Sequence, residues 1–173
     1  MGREISSQRI RREAMDQEEL PEVNQIRNIL DCQAATATKA MILAASDPDF
    51  LLTAAQAHDA RDYLMTRITI ENVTRPGVVE AMTLATLSSA VGVGDVWSLT
   101  VLRHKTSKQL GASHPTMSEE LYQLVLIYIN HIRDFFANDS IQPNYRRPLF
   151  LTHTGREVES SYVGNRIKHG AHI

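Results

Sequence analysis

The strongest constraint on this chain is a proline–glycine pair, Pro76-Gly77, that cuts through a long run of helical periodicity. Proline is tolerated in a first helical turn but not in a helix interior, and Pro-Gly is a strong turn signal. One helix must therefore end near residue 73 and another must begin at the pair, with Arg75 at the entrance. A guanidinium there adds to the unpaired N–H groups of a helix start, a combination suited to binding a phosphate. On composition alone an arginine beside a helix start is a solvated surface residue. The weight of Arg75 depends on what the rest of the chain supplies.

Residues 1–20 mix Arg and Glu with sparse apolar positions (Ile5, Ile10, Met15) and read as a charged N-terminal segment. Pro21 opens a helical pattern over 21–45, with Val23, Ile26, Ile29, Leu30, Ala34, Ala37, Met41 and Ile42 on one stripe. Asp47-Pro48 ends it, because the residue before proline is pushed out of helical geometry. A second helix is predicted over 51–73, its stripe including Leu52, Ala55, Tyr63, Leu64, Ile68 and Ile70. It also carries Arg61, Arg67 and His58, the last read as a surface or helix-packing residue. After Pro76-Gly77 a short helix spans 78–88.

The periodicity changes at Gly92-Val93-Gly94. The segment DVWSLTVLRH (95–104) is rich in β-branched and aromatic residues and predicts a strand. A turn carrying Lys105 and Lys108 follows, and residues 113–117 form a returning strand weakened by Pro115. Ser118 with Glu119 and Glu120 is a good helix start. Leu121, Leu124, Val125, Tyr128, Ile132 and Phe135 mark the buried stripe of that helix to about residue 136. A polar loop, the extended segment Pro148-Leu149-Phe150-Leu151-Thr152, a turn at Thr154-Gly155 and a last helix from Ser160 complete the chain. The fold class is α+β: mainly α with a small antiparallel β-sheet.

Several function classes drop out on composition. No apolar run approaches the roughly 20 residues needed to span a bilayer. The N-terminus is too charged for a secretory signal, and its Gly2 and Ser6 match a myristoylation pattern too short to carry weight. The single Cys32 excludes an internal disulfide framework and fits a reduced, intracellular protein, nuclear if the host is eukaryotic. A net charge of −2 is not the profile of a protein that coats nucleic acid by bulk charge. If DNA is bound, the basic residues must share one face.

Three segments in order carry a more specific signal: RPGVVEAMTL around Arg75, HKTSK around Lys105, and LFLTHTGREVESSYVGNRIK near the end. This order resembles the catalytic domain of the tyrosine recombinase (phage integrase) family, over about residues 20–170, with residues 21–173 read as an incomplete catalytic domain. The resemblance implies DNA recombination and integration, a duplex DNA partner and no cofactor or metal. Arg75 would offer a bidentate fork to the scissile phosphate, where positioned cations stabilise developing charge. Lys105 would protonate the leaving oxygen, with Lys108 as the competing choice. Arg103, Lys105 and Lys108 would join Arg75 in DNA binding. Glu80 would anchor a helix or the arginine.

The family's His-x-x-Arg box and later nucleophilic tyrosine have no counterpart after Lys168. Tyr162 lies ahead of where the second arginine belongs and is not assigned as nucleophile. The expectation is a recombinase-like, DNA-associated domain that does not cleave a strand. The alternative is a non-catalytic helical scaffold for protein partners. Without the segment that covers them in the family, the helices after Ser118 are expected to expose apolar surface and favour self-association.

Overall fold

A computed structural model describes residues 30, 32–74, 76–102, 111–136 and 147–170. Its axis is helix α2 (Ala54–Asn72), which packs against α1 (Gln33–Ala44) and against most later elements. The inward face of α2 is Ala57, Ala60, Arg61, Leu64, Met65, Ile68 and Thr69, a strict three-and-four spacing. Leu64 and Ile68 lie where the sequence predicts, whereas Leu52, Tyr63 and Ile70 are half-buried and Ala55 is exposed. The face carrying the other alanines turns inward instead, where small side chains let neighbouring helices approach. Thr53 and Gln56 close the N-terminus with a reciprocal capping box.

Helix α1 corrects two expectations. Cys32 is extended rather than helical, and its Sγ accepts the Ala35 N–H at 3.4 Å, so a helix begins there instead of running through from 21. Residues 21–29 of that expected helix lie outside the described residues. Ala35 and Ile42 are buried, while Ala34 and Ala37 face solvent.

The single helix predicted over 78–88 is divided into α3 (Pro76–Glu80) and α4 (Leu84–Ser88). The break has a hydrogen-bond cause. Met82 O accepts the Leu149 N–H at 2.8 Å, Leu84 N–H donates to Arg147 O at 3.0 Å, and Thr83 Oγ1 caps Thr86 N. Those backbone groups cannot also serve a continuous helix.

A three-stranded antiparallel sheet follows, β1 (Val91–Val93), β2 (Val96–Ser98) and β3 (Thr116–Ser118), in the order β1-β2-β3. The strand expected over 95–104 is shorter than predicted and continues only as a bridge between Val101 and Ser113. The sequence leaves a hairpin or a three-stranded meander open, and the third strand is β1, at the Val-Gly-Val where the periodicity changes. Gly92 allows a close approach there: a Cβ would meet three indole carbons of Trp97 at 3.3 Å. Without one, Trp97 lies flat across the strand and stacks on Tyr122 at 4.0 Å and 6°.

Ser118 caps α5 (Glu119–Ile127), as expected, with Glu119 and Glu120 in the first turn. The helix then passes through a π turn (Tyr128–Ile132) and a 3₁₀ turn (Arg133–Phe136). The wide turn shifts the inward face by about one residue, so Phe136 is buried and Phe135, predicted in the core, is 52% exposed. Helix α6 (Ser160–Gly170) packs against α2 and α3.

The apolar surface expected after Ser118 is not there: among the large hydrophobic residues described in that half, only Phe135 is exposed. Leu149, Phe150, Leu151, Val158 and Val163 cover those helices from within the chain. Exposed valines instead gather on the sheet, at Val91, Val93 and Val96. The fold class is α+β, and no described helix is long and apolar enough to cross a membrane.

Helix α2 ends on Val73 in the left-handed region (φ 49°, ψ 34°), with the Thr74 N–H returning to Thr69 O. A β-branched residue there is strained by about 1–2 kcal/mol. Val73 is also 92% exposed, so burial does not offset the strain. Val73→Gly is expected to raise the unfolding free energy by about 1 kcal/mol in urea denaturation. An unchanged or lower value would show that the turn is unstrained.

Candidate functional site

Arg75, Arg103, Lys105 and Lys108, the residues singled out by sequence, lie outside the described residues. The segments that carry them are bracketed on both sides, and their flanks come together through backbone contacts. The end of the RPGVVEAMTL segment pairs with residues 147–149, at the entry to the LFLTHTG segment, through the Thr83–Pro148 bridge and the hydrogen bonds Leu84 N–H to Arg147 O and Leu149 N–H to Met82 O. Glu80 Oε2 accepts the Ser160 N–H at 3.0 Å, so this carboxylate anchors the start of α6. Pro76 sits against the same helix, since a Cβ on Gly164 would lie 3.9 Å from its Cγ.

The hairpin segment joins from the other side. Val101 and Ser113 exchange both backbone hydrogen bonds, at 2.8 and 3.0 Å, and close the root of the 102–112 connection. Three residues further on, Thr116 is bound on N–H and C=O by the Asn72 side chain at 2.6 and 2.8 Å. At about 3.3 Å per strand residue, that root is roughly 10 Å from the Asn72 anchor.

A second constellation was not foreseen. The Arg61 guanidinium is 3% exposed and holds Asp62 Oδ1 through Nε and Nη2, each at 2.9 Å, with Nη1 on Leu151 O at 3.0 Å. Its Nη2 also donates to the Tyr162 hydroxyl at 2.6 Å, and that hydroxyl donates in turn to Asp62 Oδ2 at 2.8 Å. Arg166 closes the group, with Nε 2.9 Å from Asp62 Oδ2 and its guanidinium over the Tyr162 ring at 5.2 Å. The Tyr162 hydroxyl is thus committed to docking α6 on α2. Arg133, also 3% exposed, donates to Pro148 O at 2.7 Å and Leu149 O at 3.1 Å. Burial holds its guanidinium below the usual arginine range.

The sequence signal for Arg61 was its place, directly after Ala60 and three residues before Leu64. A charge on an inward helical stripe calls for a partner. His58 one turn earlier packs its ring edge-on to Phe136 at 5.1 Å, and burial and then Arg61 lower its pKa below the usual value. It is a packing histidine, as expected.

The chain matches no protein-family model, and no curated protein or solved structure is significantly similar to it.

Removing Arg61 leaves Asp62 Oδ1 without the guanidinium that holds it and removes the Nη1 donor to Leu151 O. Arg61→Met is expected to cost about 3 kcal/mol of stability, read by chemical denaturation, and a loss within 0.5 kcal/mol of zero, the ordinary surface range, would refute this role. Partial desolvation, then the nearby Glu80 charge, holds the carboxyl of the exposed Glu157 above the usual carboxylate range. The folded state therefore binds this proton more readily than the unfolded chain, and Glu157 ionisation costs stability as pH rises through the raised pKa. Glu157→Gln is expected to raise the melting temperature at pH 7, with the gain vanishing below the ordinary glutamate pKa. A gain independent of pH would contradict the assignment.

Proposed function

We propose that this chain is a duplex-DNA-binding domain of the tyrosine recombinase type, holding a backbone phosphate at the entrance of α3 without cleaving the strand itself. The observation that carries the reading is the convergence of three separated segments: the Arg75 segment pairs at its end with the entry to the LFLTHTG segment and is tethered to the sheet that roots the lysine connection. In this reading Arg75 is the bidentate phosphate ligand, and Arg103, Lys105 and Lys108 add positive charge from the 102–112 connection. Lys105 corresponds to the family's proton donor. Tyr162 is not assigned as a nucleophile, because its hydroxyl is engaged by Asp62 and Arg61.

One observation favours a different reading, a scaffold for a protein partner. The outward face of the sheet carries Val91, Val93, Val96, Ser98, Thr116 and Ser118 and no charge. Such a face suits a protein better than a phosphate backbone.

A salt titration of duplex binding separates the two. Wild type is expected to lose affinity steeply with salt, and an Arg75→Ala/Lys105→Ala double variant to bind at least tenfold more weakly with a salt slope smaller by about two. Equal binding by the two proteins would remove the phosphate-site assignment and leave the scaffold reading.

A further inference from the structure

We propose that the outer edge of β1 is a self-association surface, pairing with β1 of a second copy of this chain so that one sheet runs through both molecules. The inference uses only the described sheet and does not depend on the phosphate-binding reading.

Hydrogen bonding alternates along an antiparallel strand, and the alternation can be read from β2. Leu99 N–H donates to Pro115 O at 2.9 Å, and Asp95 O accepts the Glu119 N–H at 2.8 Å. Asp95, Trp97 and Leu99 therefore turn their backbone groups towards β3, and Val96 and Ser98 turn theirs towards Val93 and Val91 of β1. Gly92, opposite Trp97, points its N–H and C=O the other way, out of the sheet's edge. Among the described residues no strand pairs with that edge, and Val91, Gly92 and Val93 are all exposed.

The two edges of the sheet are handled differently. On β3 the outward N–H and C=O belong to Thr116, and the Asn72 side chain takes both, at 2.6 and 2.8 Å. An unpaired edge invites another strand, and proteins commonly blunt it with a charge, a proline, a bulge or a covering segment. Strand β1 carries no charge and no proline, and its register with β2 is unbroken. Its valines are 62% and 76% exposed.

Three features make a second copy the occupant that fits. Antiparallel pairing about a two-fold axis sets one residue opposite itself, and Gly92 is the residue of β1 whose N–H and C=O are both available to exchange there. Val-Gly-Val reads the same in both directions, so Val91 then meets the second copy's Val93 on either side of the axis. Such pairs, not joined by backbone hydrogen bonds, bring side chains closest. Val96 stands beside Val93 on the same face, so the valines of both copies merge into one apolar band across the junction. Charge is the third feature. In a two-fold contact each charge near the axis approaches its own copy, and no residue between Glu80 and Asp95 is charged. With Thr116 already engaged by Asn72, the sheet extends from β1 alone and the assembly closes at two. A contact of three strand residues a side is small against the roughly 1,200–2,000 Å² of a stable interface, so the dimer is weak and concentration-dependent.

Sedimentation equilibrium of the full chain over a concentration series tests this. The samples are wild type, Val91→Lys/Val93→Lys, Val91→Glu/Val93→Glu and an equal mixture of the two variants. Wild type is expected to pass from monomer to dimer as its concentration rises through the micromolar range. Each variant alone is expected to associate at least about tenfold more weakly, because like charges face each other across both pairs. The mixture is expected to recover association, because opposite charges then meet at the same positions. Amide exchange locates the contact: the Gly92 N–H should slow as wild-type concentration rises, while the Thr116 N–H, held within the chain, should not change. All four substitutions fall on exposed side chains, and should a variant fail to fold, the wild-type concentration series and the Gly92 exchange still decide. A wild type that stays monomeric throughout would overturn the proposal, as would a Gly92 amide indifferent to concentration. So would variants that dimerise as wild type does, or a mixture no more associated than its components. No DNA is present in these measurements, so their failure leaves the phosphate-site assignment to its own titration.

Discussion

The C-terminal half of this protein depends on finding donors for the carbonyls of one short buried segment. Leu149, Phe150 and Leu151 are inside the core, yet the segment is extended and has no full ladder of strand neighbours. Each carbonyl left without a donor would cost about 1–3 kcal/mol. Two guanidiniums supply the donors: Arg133 reaches Pro148 O and Leu149 O from the end of the α5 helix, and Arg61 reaches Leu151 O from α2. Met82 completes the set by accepting the Leu149 N–H. A rigid fork with five N–H groups suits this task better than an ammonium. The charge it brings into the interior is offset at Arg61 by Asp62. Through these bonds one irregular segment joins α2, the α5 helix and the α3–α4 elbow.

Much of this fold was legible in the sequence. Apolar spacing and caps located α2, α5 and α6, and Pro76-Gly77 located the break between α2 and α3. The misreadings have particular causes. Cys32 looks like a small core residue, but its sulfur serves as a helix cap. Val91-Gly92-Val93 shows only a change of periodicity in the sequence, and the approach of Trp97 accounts for a glycine in that strand. The 78–88 stretch has helical periodicity throughout, and the partners that divide it lie more than sixty residues away at Arg147 and Leu149. Pattern reasoning is local, and contacts of that span escape it. Arg61 was hidden for a related reason: periodicity ranks a residue by its own polarity, whereas its burial is decided by Asp62, Tyr162 and Leu151. As for the candidate site, the residues that carry it came from motif order alone, and the structure contributes the meeting of the segments on either side of them.

Two surfaces of different character result. One is the entrance of α3, held by Asn72 from the sheet, by Glu80 through α6 and by the backbone bridge at Thr83. The other is the uncharged outer face of the sheet with its exposed valines. They are joined through Thr116, whose backbone edge meets Asn72 while its side chain lies on the sheet's outer face.

The π turn at Tyr128–Ile132 has a consequence of a geometric kind. A wide turn accommodates one residue more than an α-helical turn, which rotates everything after it by roughly 100° about the axis. The rotation takes Phe135 out to solvent and swings Arg133 inward, onto carbonyls some fifteen residues further along the chain. In effect the helix stores an insertion and converts it into an angle. Residue number here works as a dial on side-chain direction. A change of one residue in length at this point would reach the buried segment without altering any amino acid in it.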